Sequence, residues 1–214
     1  MSFVRLPGRT DPTPAVTTPV KVDIGRRIGI VTQLVSYRMR IVGAERIPAD
    51  GPVLFVINHS SGLDGPVLFG VLPRRVSFLV KAEMFRGPVG WVLTNVGQYG
   101  LHRDIPDRAP LLNALAQLQA GGAIGIFPEG TRGFAADPQP FKSGLYTLAQ
   151  RFPQVVLVPA WINNIQRVMP KGEVIPVPVL CSVTFGAPIE VGPGEERRAF
   201  LDRARDAVIA LREV

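Results

Sequence analysis

The sequence predicts a single α/β domain with a largely parallel sheet flanked by helices, preceded by a short amphipathic helix. Short apolar runs rich in β-branched and aromatic residues alternate with stretches of helical period, the pattern of β-α-β units. The chain has 214 residues, enough for one well-buried domain and short for two. Its composition, 46% hydrophobic and 19% charged, is that of a chain that buries a core rather than one that stays disordered.

The elements follow in order. Residues 1–23 are rich in Pro and Thr and read as a mobile tail, with no apolar segment of the kind that marks a signal peptide. Across residues 24–37, Ile24, Ile28, Val31, Leu34 and Val35 share one helical face beside Arg26 and Arg27. Such a helix either lies in a membrane interface or docks on the core. The remainder, 38–214, is expected to be the folded domain. Its strand candidates are Arg38–Val42, Val53–Ile57, Val76–Val80, Gln98–Leu101, Ala123–Phe127, Val155–Pro159 and Leu180–Phe185.

Leu111, Leu112, Leu115 and Leu118 mark one helix, with Asp107 and Pro110 as start signals. Leu145, Leu148 and Ala149 mark a second, beginning near Lys142. The last runs from about Glu195, with Phe200, Ala204, Val208 and Leu211 inward and Glu195 and Glu196 at its positive end. Residues 163–178, with three prolines and little period, are expected to form a long loop over the site or an excursion at the membrane.

Charge narrows the partners. Twenty-four Lys and Arg against 17 Asp and Glu leave a net charge of +7, which suits nucleic acid, anionic lipid or phosphorylated substrates. No nucleic-acid-binding motif is visible and aromatics are only 7%, which favours lipid or phosphate and argues against nucleic acid. Cys181 is the only cysteine, so an internal disulfide is impossible; it sits in the apolar run VLCSVTF and reads as a buried structural thiol. No Cys/His cluster has metal-ligand spacing, and no metal is expected. No run approaches the length needed to span a bilayer. A protein of this kind acting on lipid is therefore expected to be cytoplasmic and peripherally associated with the membrane.

The chemistry concentrates in NHSSGLD, Asn58 to Asp64, directly after the strand VLFVI. In a parallel sheet, sites lie beyond the carboxyl ends of strands. His59 leaves the sheet there, and Asp64 can curl back to hold one ring nitrogen, leaving the other as a general base. FPEGTR, Phe127 to Arg132, again follows an apolar strand, and PFKSGLYTLA follows it from Pro140 to Ala149. GQYGLHRD spans Gly97 to Asp104 and VVLVPAWI spans Val155 to Ile162.

In this order and at these separations, the blocks resemble the lysophospholipid and glycerolipid acyltransferase family, of the 1-acylglycerol-3-phosphate acyltransferase kind. The resemblance covers residues 38 to 190; the NHSSGLD and FPEGTR blocks match closely, GQYGLHRD and VVLVPAWI loosely. It implies transfer of a fatty acyl group from a thioester to the sn-2 hydroxyl of lysophosphatidic acid, giving phosphatidic acid. The donor, acyl-CoA or an acyl carrier protein thioester, is a substrate, and no cofactor is implied. A thioester is already activated, so the demanding step is making the alcohol nucleophilic.

Carried over residue by residue, the resemblance makes His59 the base and Asp64 its orienting partner. Arg103 matches the phosphate-contacting arginine, and Gly130, Thr131 and Arg132 form a second anion-binding loop. Glu129 is expected to hold a glycerol hydroxyl or to orient an arginine, because a carboxylate repels phosphate. Lys81 and Lys142 match basic positions of the family. Ser60 and Ser61 are expected to shape the turn, since the chain lacks the nucleophile elbow of a covalent serine mechanism.

Three residues depart from the family pattern. Gly100 replaces a bulky apolar residue, His102 is unexpected and should face away from Arg103, and Trp161 is bulkier than the pattern expects. The acceptor therefore stays open to another lysophospholipid or lipid hydroxyl. Hydrolysis of a thioester or lipid ester, and a non-catalytic lipid-binding module, are the alternatives from other classes.

Overall fold

The computed structural model describes residues 39–101, 109–133, 137–168 and 179–213. These carry seven strands: β1 (Arg40–Val42), β2 (Val53–Ile57), β3 (Val76–Lys81), β4 (Tyr99–Leu101), β5 (Ala123–Ile126), β6 (Val156–Asn163) and β7 (Ser182–Phe185). Six α-helices accompany them: α1 (Asp64–Val71), α2 (Gly87–Asn95), α3 (Ala109–Gln119), α4 (Gly144–Arg151), α5 (Ile165–Val168) and α6 (Arg197–Ile209). The strands form one sheet in the order β1-β7-β6-β2-β5-β3-β4. From β6 to β4 all neighbours are parallel. β7 runs antiparallel to β6 and carries β1 parallel to itself, so one edge reverses direction.

β2 explains why this chain makes a two-sided layer. All five of its residues are fully buried, and they divide by alternation between two cores. Val53, Phe55 and Ile57 join Val67 and Leu68 of α1, Phe78, Val158 and Phe185 on one face. Leu54 and Val56 join Ala114 and Leu118 of α3, Leu145 and Leu148 of α4, and Phe200, Ala204 and Val208 of α6 on the other. A strand covered on both faces reads as an unbroken apolar run, which is why VLFVI carries no alternation. Phe55 meets Phe185 edge-to-face at 6.1 Å, tying the sheet centre to the reversed edge.

All seven expected strands are present; β2 has the expected bounds and the others have shifted ends. β6 continues to Asn163, past the proline at which the sequence suggested a stop. Pro159 is accommodated because the β7 ladder begins only at Ala160, where a backbone donor is available again. α1 and α2 were not expected. Gly65, Pro66 and Gly70 interrupt the period of α1, and Gly87, Pro88 and Gly90 that of α2. Both prolines sit in a first helical turn, where the missing N–H has no partner to lose.

The expected long loop at 163–178 starts in a more ordered way: α5 pins it by burying Ile165 and Val168 in the first core. Residues 169–178 lie outside the described residues, as do the tail 1–23 and the helix expected at 24–37. Cys181 is buried in the first core, and that burial pushes its thiol pKa up, in keeping with a structural role.

Truncating Phe55, which has no exposed surface, opens a void at the sheet centre. Phe55→Ala is expected to cost about 3–5 kcal/mol, read as a lowered denaturation midpoint at unchanged slope.

Candidate active site

The site begins where β2 ends. Asn58 is 5% exposed and faces the backbone of β6, not solvent. Its Nδ2 donates to the Ile162 carbonyl at 3.0 Å, and its Oδ1 accepts the Ile162 N–H at 2.7 Å. A side-chain amide thus replaces one rung of the β2–β6 ladder, freeing the main chain to turn while holding it at a fixed point. His59 leaves from that point.

Asp64, in the first turn of α1, then closes the loop. Its Oδ2 lies 2.9 Å from His59 Nδ1 and accepts the backbone N–H groups of Ser60 and Ser61, each at 2.8 Å. An ionised carboxylate only accepts, so Nδ1 carries the proton and Nε2 keeps its lone pair. The Asp64 side chain is fully buried, whereas His59 keeps 17% of its side chain exposed. The imidazole therefore reaches the cleft and the carboxylate does not. The ring of His59 stacks on Phe127 at 4.3 Å, and Phe127 stacks in turn on Phe78. Ser61 Oγ accepts the Leu63 N–H at 3.2 Å, the turn-shaping role expected of it.

The loop after β5 is bound to this turn. Gly130, at φ 71°, turns the chain in a conformation that favours glycine. The Gly133 N–H donates to the His59 carbonyl at 2.9 Å. Glu129 supplies the second tie, through backbone partners the sequence did not suggest. It is 2% exposed; Oε1 accepts the His59 N–H at 2.7 Å and Oε2 accepts the Gln139 N–H at 2.9 Å. Among the described residues its partners are backbone amides, neither a hydroxyl nor an arginine. It braces the His59 turn against the loop that follows β5.

The basic residues fall into groups. Lys142 lies over Gly130: a Cβ on that glycine would sit 2.6 Å from Nζ, so the glycine makes room for the lysine. Arg132 reaches toward the His59 turn, where a Cβ on Gly62 would lie 3.8 Å from its Nη1. Thr131, Arg132 and Lys142 are exposed. Lys81 ends β3, two strands from β2 in the sheet order and so about 10 Å away by strand spacing. Its Nζ is 3.6 Å from Glu83 Oε2. Arg103 and His102 lie outside the described residues.

A cleft of about 240 Å³ opens beside the turn, bounded by His59, Ser60, Gly133, Trp161, Gln166 and Arg212 among others. Arg212 stacks over the Trp161 ring, 4.9 Å from its centroid, and pairs with Asp137. The hydrogen bond from that guanidinium, and its charge, lower the Asp137 pKa. A larger cavity of about 360 Å³ lies at the opposite end of β6, lined by Tyr146, Val155 and Glu195; its lining contains no histidine and neither member of the dyad.

Sequence reasoning assigned no role to Asn58, Phe127, Asp137 or Arg212. The first two had a signal, since they open NHSSGLD and FPEGTR at strand ends. The other two had none, because their partners are remote in sequence.

A family model described as Acyltransferase matches residues 38–163, the stretch that contains the His59 turn, the Glu129 loop and β6. This chain belongs to the acyltransferase family. Its fold agrees with that membership: the crystal structure of the 1-acyl-sn-glycerophosphate (LPA) acyltransferase PlsC from Thermotoga maritima superposes with a TM-score of 0.74 at 24% identity, covering 88% of this chain and 77% of that one. A 1-acyl-sn-glycerol-3-phosphate acyltransferase of Bacillus subtilis is 30% identical over 124 residues, 57% of this chain. One from Chlamydomonas reinhardtii is 34% identical over 143 residues, 64% of this chain. The chain spans less than two thirds of these curated relatives, 61% of the bacterial and 42% of the algal protein.

In the acyltransferase turn, Glu129→Gln replaces one accepting oxygen with an amide donor that must face a backbone N–H. It is expected to destabilise the fold by about 1–3 kcal/mol and to lower kcat with little change in acceptor KM. Denaturation and steady-state kinetics check the two parts, and a change confined to KM would return Glu129 to substrate binding.

Proposed function

We propose that this chain transfers a fatty acyl group from an acyl thioester to the sn-2 hydroxyl of lysophosphatidic acid, giving phosphatidic acid and a free thiol. The observation that carries the reading is the His59–Asp64 pair, with Nδ1 held at 2.9 Å and the other ring nitrogen left basic at the carboxyl end of β2. The naming of the relatives as 1-acyl-sn-glycerol-3-phosphate acyltransferases supports the choice of acceptor.

In this mechanism His59 Nε2 takes the proton of the acceptor hydroxyl as its oxygen attacks the thioester carbonyl carbon. Asp64 balances the charge of the imidazolium so formed. The tetrahedral intermediate collapses with cleavage of the C–S bond. The imidazolium returns its proton to the departing thiolate, restoring the base. Every proton and electron pair is accounted for without a covalent enzyme intermediate.

Arg132, Lys142 and the amides of the Gly130–Arg132 loop hold the acceptor phosphate, with Lys81 and Arg103 completing the basic set. Glu129 acts by keeping the base and the phosphate loop in one frame. The donor is a coenzyme A or acyl carrier protein thioester. The reaction takes place at an anionic membrane surface, to which the net charge of +7 is suited. Among the described residues no helix is long and apolar enough to cross a membrane.

Thiol release from oleoyl-CoA, with and without lysophosphatidic acid, tests the proposal. Release is expected to depend on the acceptor, to yield phosphatidic acid, and to fall about 10²–10⁴-fold in His59→Ala with acceptor affinity retained. Acceptor-independent release would identify a hydrolase instead. Loss of acceptor binding together with turnover in the variant would remove His59 from the role of base.

A further inference from the structure

α2 is built the wrong way round for a helix facing water. A surface helix ordinarily turns its apolar stripe inward and its charges outward. Here the only buried residue is Gly90, which rests on the backbone of Phe85; a Cβ there would lie 2.2 Å from the Phe85 carbonyl carbon. The outward residues are apolar: Val89 is 54% exposed, Trp91 69% and Val92 49%, and Met84 of the preceding turn is 47% exposed. No charged residue occurs from Gly87 to Leu101. In sequence, the charges that precede the helix are exposed Arg86 and Lys81, the latter paired with Glu83.

We propose that this face of α2, with Met84, Val89, Trp91 and Val92, is a docking surface for an anionic lipid bilayer. Two features select lipid over a protein partner. The patch pairs an uncharged apolar face with an exposed Trp, a side chain that partitions to the membrane interface. It is also flanked by basic side chains on a protein of net charge +7, which complements anionic headgroups.

Position adds a third argument, which rests on the acyl-transfer reading. β3 is parallel to β5 and β5 to β2, so the carboxyl end of β3, from which the chain enters α2, opens at the same sheet edge as His59. A bilayer against α2 would lie beside the edge where a lysophospholipid must reach the base.

The experiment uses the full chain and vesicles of phosphatidylcholine with phosphatidylglycerol, compared with phosphatidylcholine alone. The chain has two tryptophans, and Trp161 is only 7% exposed, so a blue shift of emission on binding reports Trp91. Anionic vesicles are expected to bind the protein and shift that emission. A Trp91→Glu, Val92→Glu variant, altered only at exposed positions, is expected to lose vesicle binding by about tenfold or more. Its thiol release with a short-chain, water-soluble lysophosphatidic acid should be unchanged, which shows that the variant is folded.

Vesicle binding equal to that of the parent would overturn the proposal. So would Trp91 emission already blue-shifted without lipid in a species that sediments as a dimer, since a second copy would then cover the face. If the parent releases no thiol with the soluble acceptor, the acyl-transfer reading fails, while the vesicle comparison still decides the docking surface.

Discussion

One carboxylate oxygen organises the site. Asp64 Oδ2 gathers the ring N–H of His59 and the main-chain N–H groups of Ser60 and Ser61, so a single buried charge sets both the turn and the tautomer of the base. Three donors at Oδ2 offset part of the cost of removing the group from water, while Oδ1 has no hydrogen-bond partner among the described residues. The same contacts explain why the carboxylate stands at the start of α1, where the helix end adds favourable potential. Loss of this oxygen would release the turn as well as the histidine.

The turn would be loose without its surroundings. Behind it, the fully buried β2 supplies a rigid platform, and Asn58 extends the hold on β6 by one rung after the strand has ended. In front, Glu129 and Gly133 attach the loop after β5 to the backbone of His59. The His59 turn and the loop after β5 are thus joined by hydrogen bonds instead of merely lying near each other. The proposed acyl transfer would need this stiffness, because small displacements of a base from its proton are costly in rate.

Much of this was legible in the sequence. The seven strands were readable because strands buried on both faces are continuous apolar runs, and the His59–Asp64 pair because both members lie in one short turn. α1 and α2 were hidden because glycine and proline break the helical period that announces other helices. Glu129 was recognised as important, but its ties to the His59 and Gln139 backbone amides had no signal in the sequence. A carboxylate among basic residues suggests substrate chemistry, and the fold adds that it accepts two backbone amides.

The division between what is local and what is global has a simple basis. The sequence alone determined the α/β class, the strand positions and the dyad, since each depends on residues within a few positions of one another. Only the tertiary structure decided that Glu129 reaches the His59 amide across 70 residues, that Asn58 bonds Ile162 of β6 across 104, and that Arg212 meets Asp137 across 75. Those contacts exist because the sheet places β2 between β5 and β6, and strand order is set by how whole faces pack, not by any signal in the loops that benefit.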